Sequence, residues 1–77
     1  MSPTVFRKGP YRFFSREEDR IHVHVVSPNG EAKYWLEPTV SLATFEGLSA
    51  TQLKRLQRMV EEHSDEIRTA WRRHFRR

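Results

Sequence analysis

Apolar and polar residues alternate along Ile21-His22-Val23-His24-Val25-Val26 and again along Glu31-Ala32-Lys33-Tyr34-Trp35-Leu36. Between the two runs stands Ser27-Pro28-Asn29-Gly30, a turn-forming sequence, so the pair predicts a β-hairpin. With those four residues as the loop, Val26 faces Glu31. The register then runs Val25–Ala32, His24–Lys33, Val23–Tyr34, His22–Trp35 and Ile21–Leu36. Successive side chains point to opposite sides of a strand, so this pairing sorts the hairpin into two faces. One is apolar; the other gathers His22, His24, Lys33 and Trp35.

Upstream, Thr4-Val5-Phe6 is a short apolar stretch and Lys8-Gly9-Pro10 marks a turn. Tyr11-Arg12-Phe13-Phe14-Ser15 is aromatic-rich and reads as a strand, and Arg16-Glu17-Glu18-Asp19-Arg20 reads as a charged loop leading into the hairpin. Phe13 and Phe14 point to opposite sides, so at least one of them looks away from whatever covers the sheet. Downstream, Pro38 interrupts ladder hydrogen bonding, which leaves Thr39 to Ala43 as a short edge strand or an extended link. The expected sheet is antiparallel, has three to five strands and covers roughly residues 3–43.

From residue 50 the period changes. Ser49-Ala50-Thr51-Gln52 forms a capping box, Leu48 and Leu53 a hydrophobic staple, and Gly47 lets the chain turn into the helix start. Leu53, Leu56, Val60, Ile67, Ala70, Trp71 and Phe75 then recur on one helical face, with His63 on the same stripe. An unbroken helix over 50–76 would be about 40 Å long at ~1.5 Å per residue, longer than the ~17–20 Å of ordinary strands. The pairs Glu61–Asp65 and Glu62–Glu66 repel at i,i+4. Ser64 is able to cap a second helix whose first turn holds Asp65 and Glu66. The pattern therefore predicts two helices meeting near His63-Ser64, or one kinked helix, packed on one sheet face. The fold class is α+β in a single domain over 1–77.

Seventy-seven residues with no cysteine exclude disulfide support, a thiolate nucleophile and a thiolate zinc site. No apolar run approaches the ~20 residues of a membrane-spanning helix, and residues 1–10 lack a signal-peptide core. The expectation is a soluble cytoplasmic protein. The net charge is +4, with Arg68, Arg72, Arg73, Arg76 and Arg77 crowded behind the acidic belt Glu61, Glu62, Asp65 and Glu66. Such a tail suits phosphate or an acidic partner, and equally suits the negative end of a helix dipole.

The second face of the hairpin is where chemistry is expected. Histidine takes and gives protons near neutrality, so His24 and His22 are the candidate catalytic residues for acid–base work on RNA. Lys33, Arg12 and Arg20 are candidates to hold phosphate, and Trp35 to stack a base. Beside Lys33, the pKa of His24 is expected to fall, keeping it neutral and able to accept a proton. His-x-His also suits a metal, which leaves a His-based metal-binding domain as a third reading. Yet Lys33 and Trp35 are its cross-strand neighbours, a lysine beside the site repels a cation and no third ligand is evident, so no metal or cofactor is assigned. The plain alternative is that these residues merely pack as cross-strand pairs, or form a protein-binding face. No Ser-His-Asp pattern, Gly-rich phosphate loop or paired-carboxylate arrangement supports a hydrolase or nucleotide-binding reading.

Thr4-Val5-Phe6-Arg7, Gly9-Pro10-Tyr11-Arg12-Phe13-Phe14, His22-Val23-His24-Val25, Gly30-Glu31-Ala32-Lys33-Tyr34-Trp35-Leu36 and Ala70-Trp71-x-x-His74-Phe75 together resemble a family of very short prokaryotic proteins, the domain of unknown function DUF4160. The resemblance implies a bacterial protein encoded beside a second small protein, the two suspected of forming a toxin–antitoxin module. It thus implies a small antitoxin-like partner and raises RNA as a target. It assigns no catalytic residue. Asp19-Arg20-Ile21 departs from the proline-rich lead-in more usual in that family.

Overall fold

In the computed structural model, which describes residues 4–15 and 20–74, the chain forms five strands and then two helices. The strands are β1 (Thr4–Lys8), β2 (Tyr11–Phe14), β3 (His22–Ser27), β4 (Gly30–Trp35) and β5 (Ser41–Glu46). The helices are α1 (Ala50–Glu62) and α2 (Ser64–His74). Every strand pairs antiparallel with its sequence neighbour, so the sheet is a meander in the order β1-β2-β3-β4-β5. The α+β architecture read from the sequence is the one observed. The loop segment 16–19 and the stripe's last member, Phe75, lie outside the described residues, as do Arg76 and Arg77.

The β3–β4 register is the predicted one at every position, and it extends by one further pair, Ser27 with Gly30, which leaves Pro28-Asn29 as a two-residue turn. Leu36 donates its backbone N–H to the Ile21 carbonyl at 3.1 Å, which closes the hairpin's open end. Gly30 is required by crowding. A Cβ there would collide with the backbone carbonyl of Glu46, at the end of β5.

The sheet runs further than the alternation suggests. β5 covers Ser41–Glu46, where the sequence placed a strand or link over 39–43. The cause is a bulge: Lys33 pairs with Thr44 but Tyr34 pairs with Leu42, so Ala43 is an extra residue in β5. An extra residue breaks the period of two on which strand recognition depends. β1 carries a similar irregularity between Thr4 and Phe6.

Phe13, Val23, Val25, Ala32 and Tyr34 line one sheet face and join Leu36, Leu48, Leu56, Val60 and Ile67 in a single buried cluster. Burying each of the larger side chains contributes about 1.5–3 kcal/mol, so this helix-covered face holds the fold together. Tyr34 is fully buried yet satisfied, because its hydroxyl donates to the Leu53 carbonyl at 2.7 Å and ties β4 to α1. Burial pushes its pKa up to about 12.

The helix start follows the expected capping box: Gln52 N–H donates to the Ser49 hydroxyl at 3.2 Å, and Ser49 N–H donates to the Gln52 side chain at 2.9 Å. The two-helix reading also holds. The junction residue is His63, however, and Ser64 is already the first residue of α2. His63 N–H donates to the Met59 carbonyl and its own carbonyl accepts from Ile67, each at 3.0 Å. The His63 imidazole lies 3.0 Å from the Glu66 carboxylate in the first turn of α2. Arg68 anchors α2 to the end of β4 by donating to the Leu36 carbonyl at 2.8 Å, with Glu37 Oε1 3.5 Å from its Nε. Among the described residues no helix is long and apolar enough to cross a membrane.

Candidate functional site

Both helices lie on one side of the sheet, so the opposite face is built from the remaining strand positions. The registers arrange them in three rows across the strands. Arg7, Arg12, Val26, Glu31 and Glu46 form the first row. Phe14, His24, Lys33 and Thr44 form the second, and His22, Trp35 and Ser41 the third. The predicted residues His22, His24, Lys33, Trp35 and Arg12 are therefore brought to one face, and Arg20 reaches it from the loop.

An aromatic chain crosses that face diagonally. The Phe14 ring stacks on His24 with centroids 4.9 Å apart and 13° between planes. His24 meets His22 edge to face at 5.0 Å, and His22 meets Trp35 at 6.3 Å. Cations are laid over this row. Arg12 lies 5.1 Å from the Phe14 centroid, while Arg20 and Lys33 lie 4.3 and 4.4 Å from that of Trp35. Cations over aromatic faces are attracted by the ring quadrupole, by about 0.5–2 kcal/mol depending on exposure.

The two histidines have different surroundings. His22 is fully buried on the face opposite the helices. Its Nδ1 is 3.0 Å from the Arg20 carbonyl; a carbonyl only accepts, so Nδ1 carries the proton that makes this bond. The buried Ser15 hydroxyl donates to the His22 carbonyl at 2.8 Å. His22 is thus fixed in orientation and closed to solvent. His24 is half-buried and lines a cleft of about 220 Å³ with Glu31, Ala32, Lys33, Thr44, Phe45 and Glu46.

Arg20 has an additional structural task. Its Nε and terminal NH₂ both donate to the Glu37 carbonyl, at 3.1 and 2.8 Å, which holds the guanidinium over Trp35. The indole is half-buried, so base stacking on it requires these cations to move or to accompany the base.

Sequence reasoning missed Arg7, Glu31, Thr44 and Glu46. Two like-charged cross-strand pairs result, Arg7 with Arg12 and Glu31 with Glu46, and like charges directly opposite one another destabilise a sheet. Glu31 was legible from the hairpin register, and Arg7 from the Gly9-Pro10 turn. Thr44 and Glu46 were hidden by the bulge. Among the described residues, no three His, Cys, Asp or Glu side chains come together to hold a metal ion.

Neither the curated proteins nor the solved structures hold a match to the chain. Residues 11–72, which run from β2 through most of α2, match the family model described as Domain of unknown function (DUF4160). The match takes in β2, β3, β4 and β5, which carry nearly all of the face just described, and on it the chain belongs to the DUF4160 family.

Proposed function

We propose that this protein is the RNA-directed half of a two-protein, toxin–antitoxin-like module, and that it engages RNA through the sheet face opposite the helices. The observation that carries this reading is the laying of Arg12, Arg20 and Lys33 over an aromatic row one of whose members, His24, lines a cleft together with Lys33. Phosphates call for guanidinium and ammonium groups, and splayed bases call for aromatic or guanidinium planes. Here both are supplied side by side.

Within that face His24 is the proton acceptor for a ribose 2′-hydroxyl, which then attacks its own phosphate, and Lys33 offsets the charge that builds on phosphorus. The leaving 5′-oxygen takes its proton from solvent. His22, buried and bonded to the Arg20 carbonyl, is a positioning residue that holds the edge of His24. The test is expression of the chain alone in a bacterium. Growth arrest with RNA loss, abolished by His24→Ala with the fold intact, supports the proposal. Unimpaired growth contradicts it.

One observation favours a second reading, a non-enzymatic domain that binds its partner protein through the same face. His22 has no solvent exposure, and two cations already occupy the indole of Trp35, a locked arrangement suited to docking. On that reading Lys33→Glu abolishes capture of the partner and leaves RNA intact.

A further inference from the structure

We propose that β5 is a self-pairing edge, through which two copies of this chain join their sheets about a two-fold axis. Among the described residues the exposed large hydrophobics are Leu42, at 36%, and Phe45, at 55%. Both stand on β5, the last strand of the sheet, whose outer edge pairs with no other strand in the order β1-β2-β3-β4-β5. Scattered apolar residues need no explanation, but an exposed pair on an open strand edge is a template for another strand.

The occupant is identified by the register. Leu42 pairs with Tyr34 and Phe45 with Ala32, and both of these β4 partners face the buried core. The bulge at Ala43 therefore places Leu42 and Phe45 on the same, helix-covered side, three residues apart. An antiparallel β5–β5 pair with its axis between Ala43 and Thr44 then sets Leu42 of each copy against Phe45 of the other. The apolar contact is made twice, as two-fold symmetry requires. Ala43 of each copy then falls opposite Thr44 of its mate, so the two bulges meet at the axis and neither strand is out of step.

Charge agrees with this pairing. On the opposite side of the sheet, Glu46 of each copy comes to lie across from Ser41 of the other. Ser41 is the cross-strand neighbour of Trp35, over which Arg20 and Lys33 are held. Each carboxylate thus reaches the flank of the other copy's cationic cluster. The two cation-bearing faces become one continuous surface, although the pairing itself does not depend on RNA being the ligand.

The absence of cysteine from the chain permits a register-specific test. Full-length Leu42→Cys and Phe45→Cys proteins are prepared separately, mixed and oxidised. Residues directly opposite in an antiparallel pair lie within disulfide reach, whereas identical positions here are offset by about 10 Å at ~3.3 Å per residue. The expected result is a mixed disulfide forming at least tenfold faster than either homodisulfide. Sedimentation equilibrium of the unmodified chain should approach twice the monomer mass as concentration rises, with dissociation at least tenfold easier for Phe45→Lys. Equal rates for mixed and homodisulfides, a monomer at every concentration, or a dimer indifferent to Phe45→Lys would overturn the proposal.

Discussion

The ring of Phe14 lies nearly parallel to the imidazole of His24, with centroids 4.9 Å apart, so the candidate proton carrier is also a packing residue. The two roles separate by substitution. Such aromatic pairs contribute about 0.5–1.5 kcal/mol beyond their burial. His24→Ala is expected to cost about 1 kcal/mol of stability, measured by denaturant unfolding. His24→Phe keeps the stack, and its stability should stay within about 1 kcal/mol of the parent. Both variants should lose growth arrest; retained arrest in His24→Phe would remove the imidazole from the chemistry.

Lys33 and Arg12 are expected to contribute to RNA affinity through phosphate. Neutralising one phosphate on a single strand changes the slope of log affinity against log salt by about 0.7. Lys33→Ala and Arg12→Ala should each lower that slope by about this amount, as read from fluorescence titrations with a short single-stranded RNA at several salt concentrations. Weakened binding at an unchanged slope would mean that the residue acts by packing over Trp35 or Phe14.

The helix-covered face makes its own prediction. Tyr34 donates to the Leu53 carbonyl at 2.7 Å, and burial raises its pKa from 10.0 to about 12. The unfolded chain therefore releases this proton at lower pH than the folded one. Stability is unaffected below pH about 10 and falls as pH rises from there towards 12. Tyr34→Phe should cost about 1 kcal/mol at neutral pH through the lost hydrogen bond, and should flatten the alkaline decline. An undiminished decline in that variant would assign the effect to other groups.

Gly30 couples the turn of the hairpin to the cleft. A Cβ there would collide with the backbone of Glu46 and approach Gly47 Cα at 2.9 Å, so Gly30→Ala must push the end of β5 away from β4. Overpacking of this kind costs about 1–3 kcal/mol. Because Glu46 and Thr44 line the same cleft as His24 and Lys33, the variant should also weaken RNA binding. A stability loss with full binding would uncouple that end of β5 from the site.

The legibility of this chain follows the strength of its local signals. Alternation on either side of the turn determined the β3–β4 pairs from His22–Trp35 to Val26–Glu31, and hence the common face of His22, His24, Lys33 and Trp35, while the pair Ser27–Gly30 lay in the expected loop. Ser49 and Gln52 marked the start of α1, and repulsion between acids one turn apart marked the break before α2. β5 was cut short because Ala43 shifts the period, which concealed Thr44 and Glu46. The burial of His22 was invisible for a different reason. Phase says which side a ring emerges from, while coverage depends on neighbours distant in sequence, such as Trp35, whose ring meets that of His22. Likewise Arg20 reaches Trp35 because it is held by the Glu37 carbonyl, seventeen positions away.

The measurement that bears most directly on the central claim is residue-resolved chemical-shift mapping of the isotope-labelled chain during titration with a short single-stranded RNA. The account predicts saturable shifts concentrated at Arg12, Phe14, His24, Lys33 and Thr44, weakening as salt is raised. Shifts confined to the outer surfaces of α1 and α2, or no shifts at any RNA concentration, would contradict it.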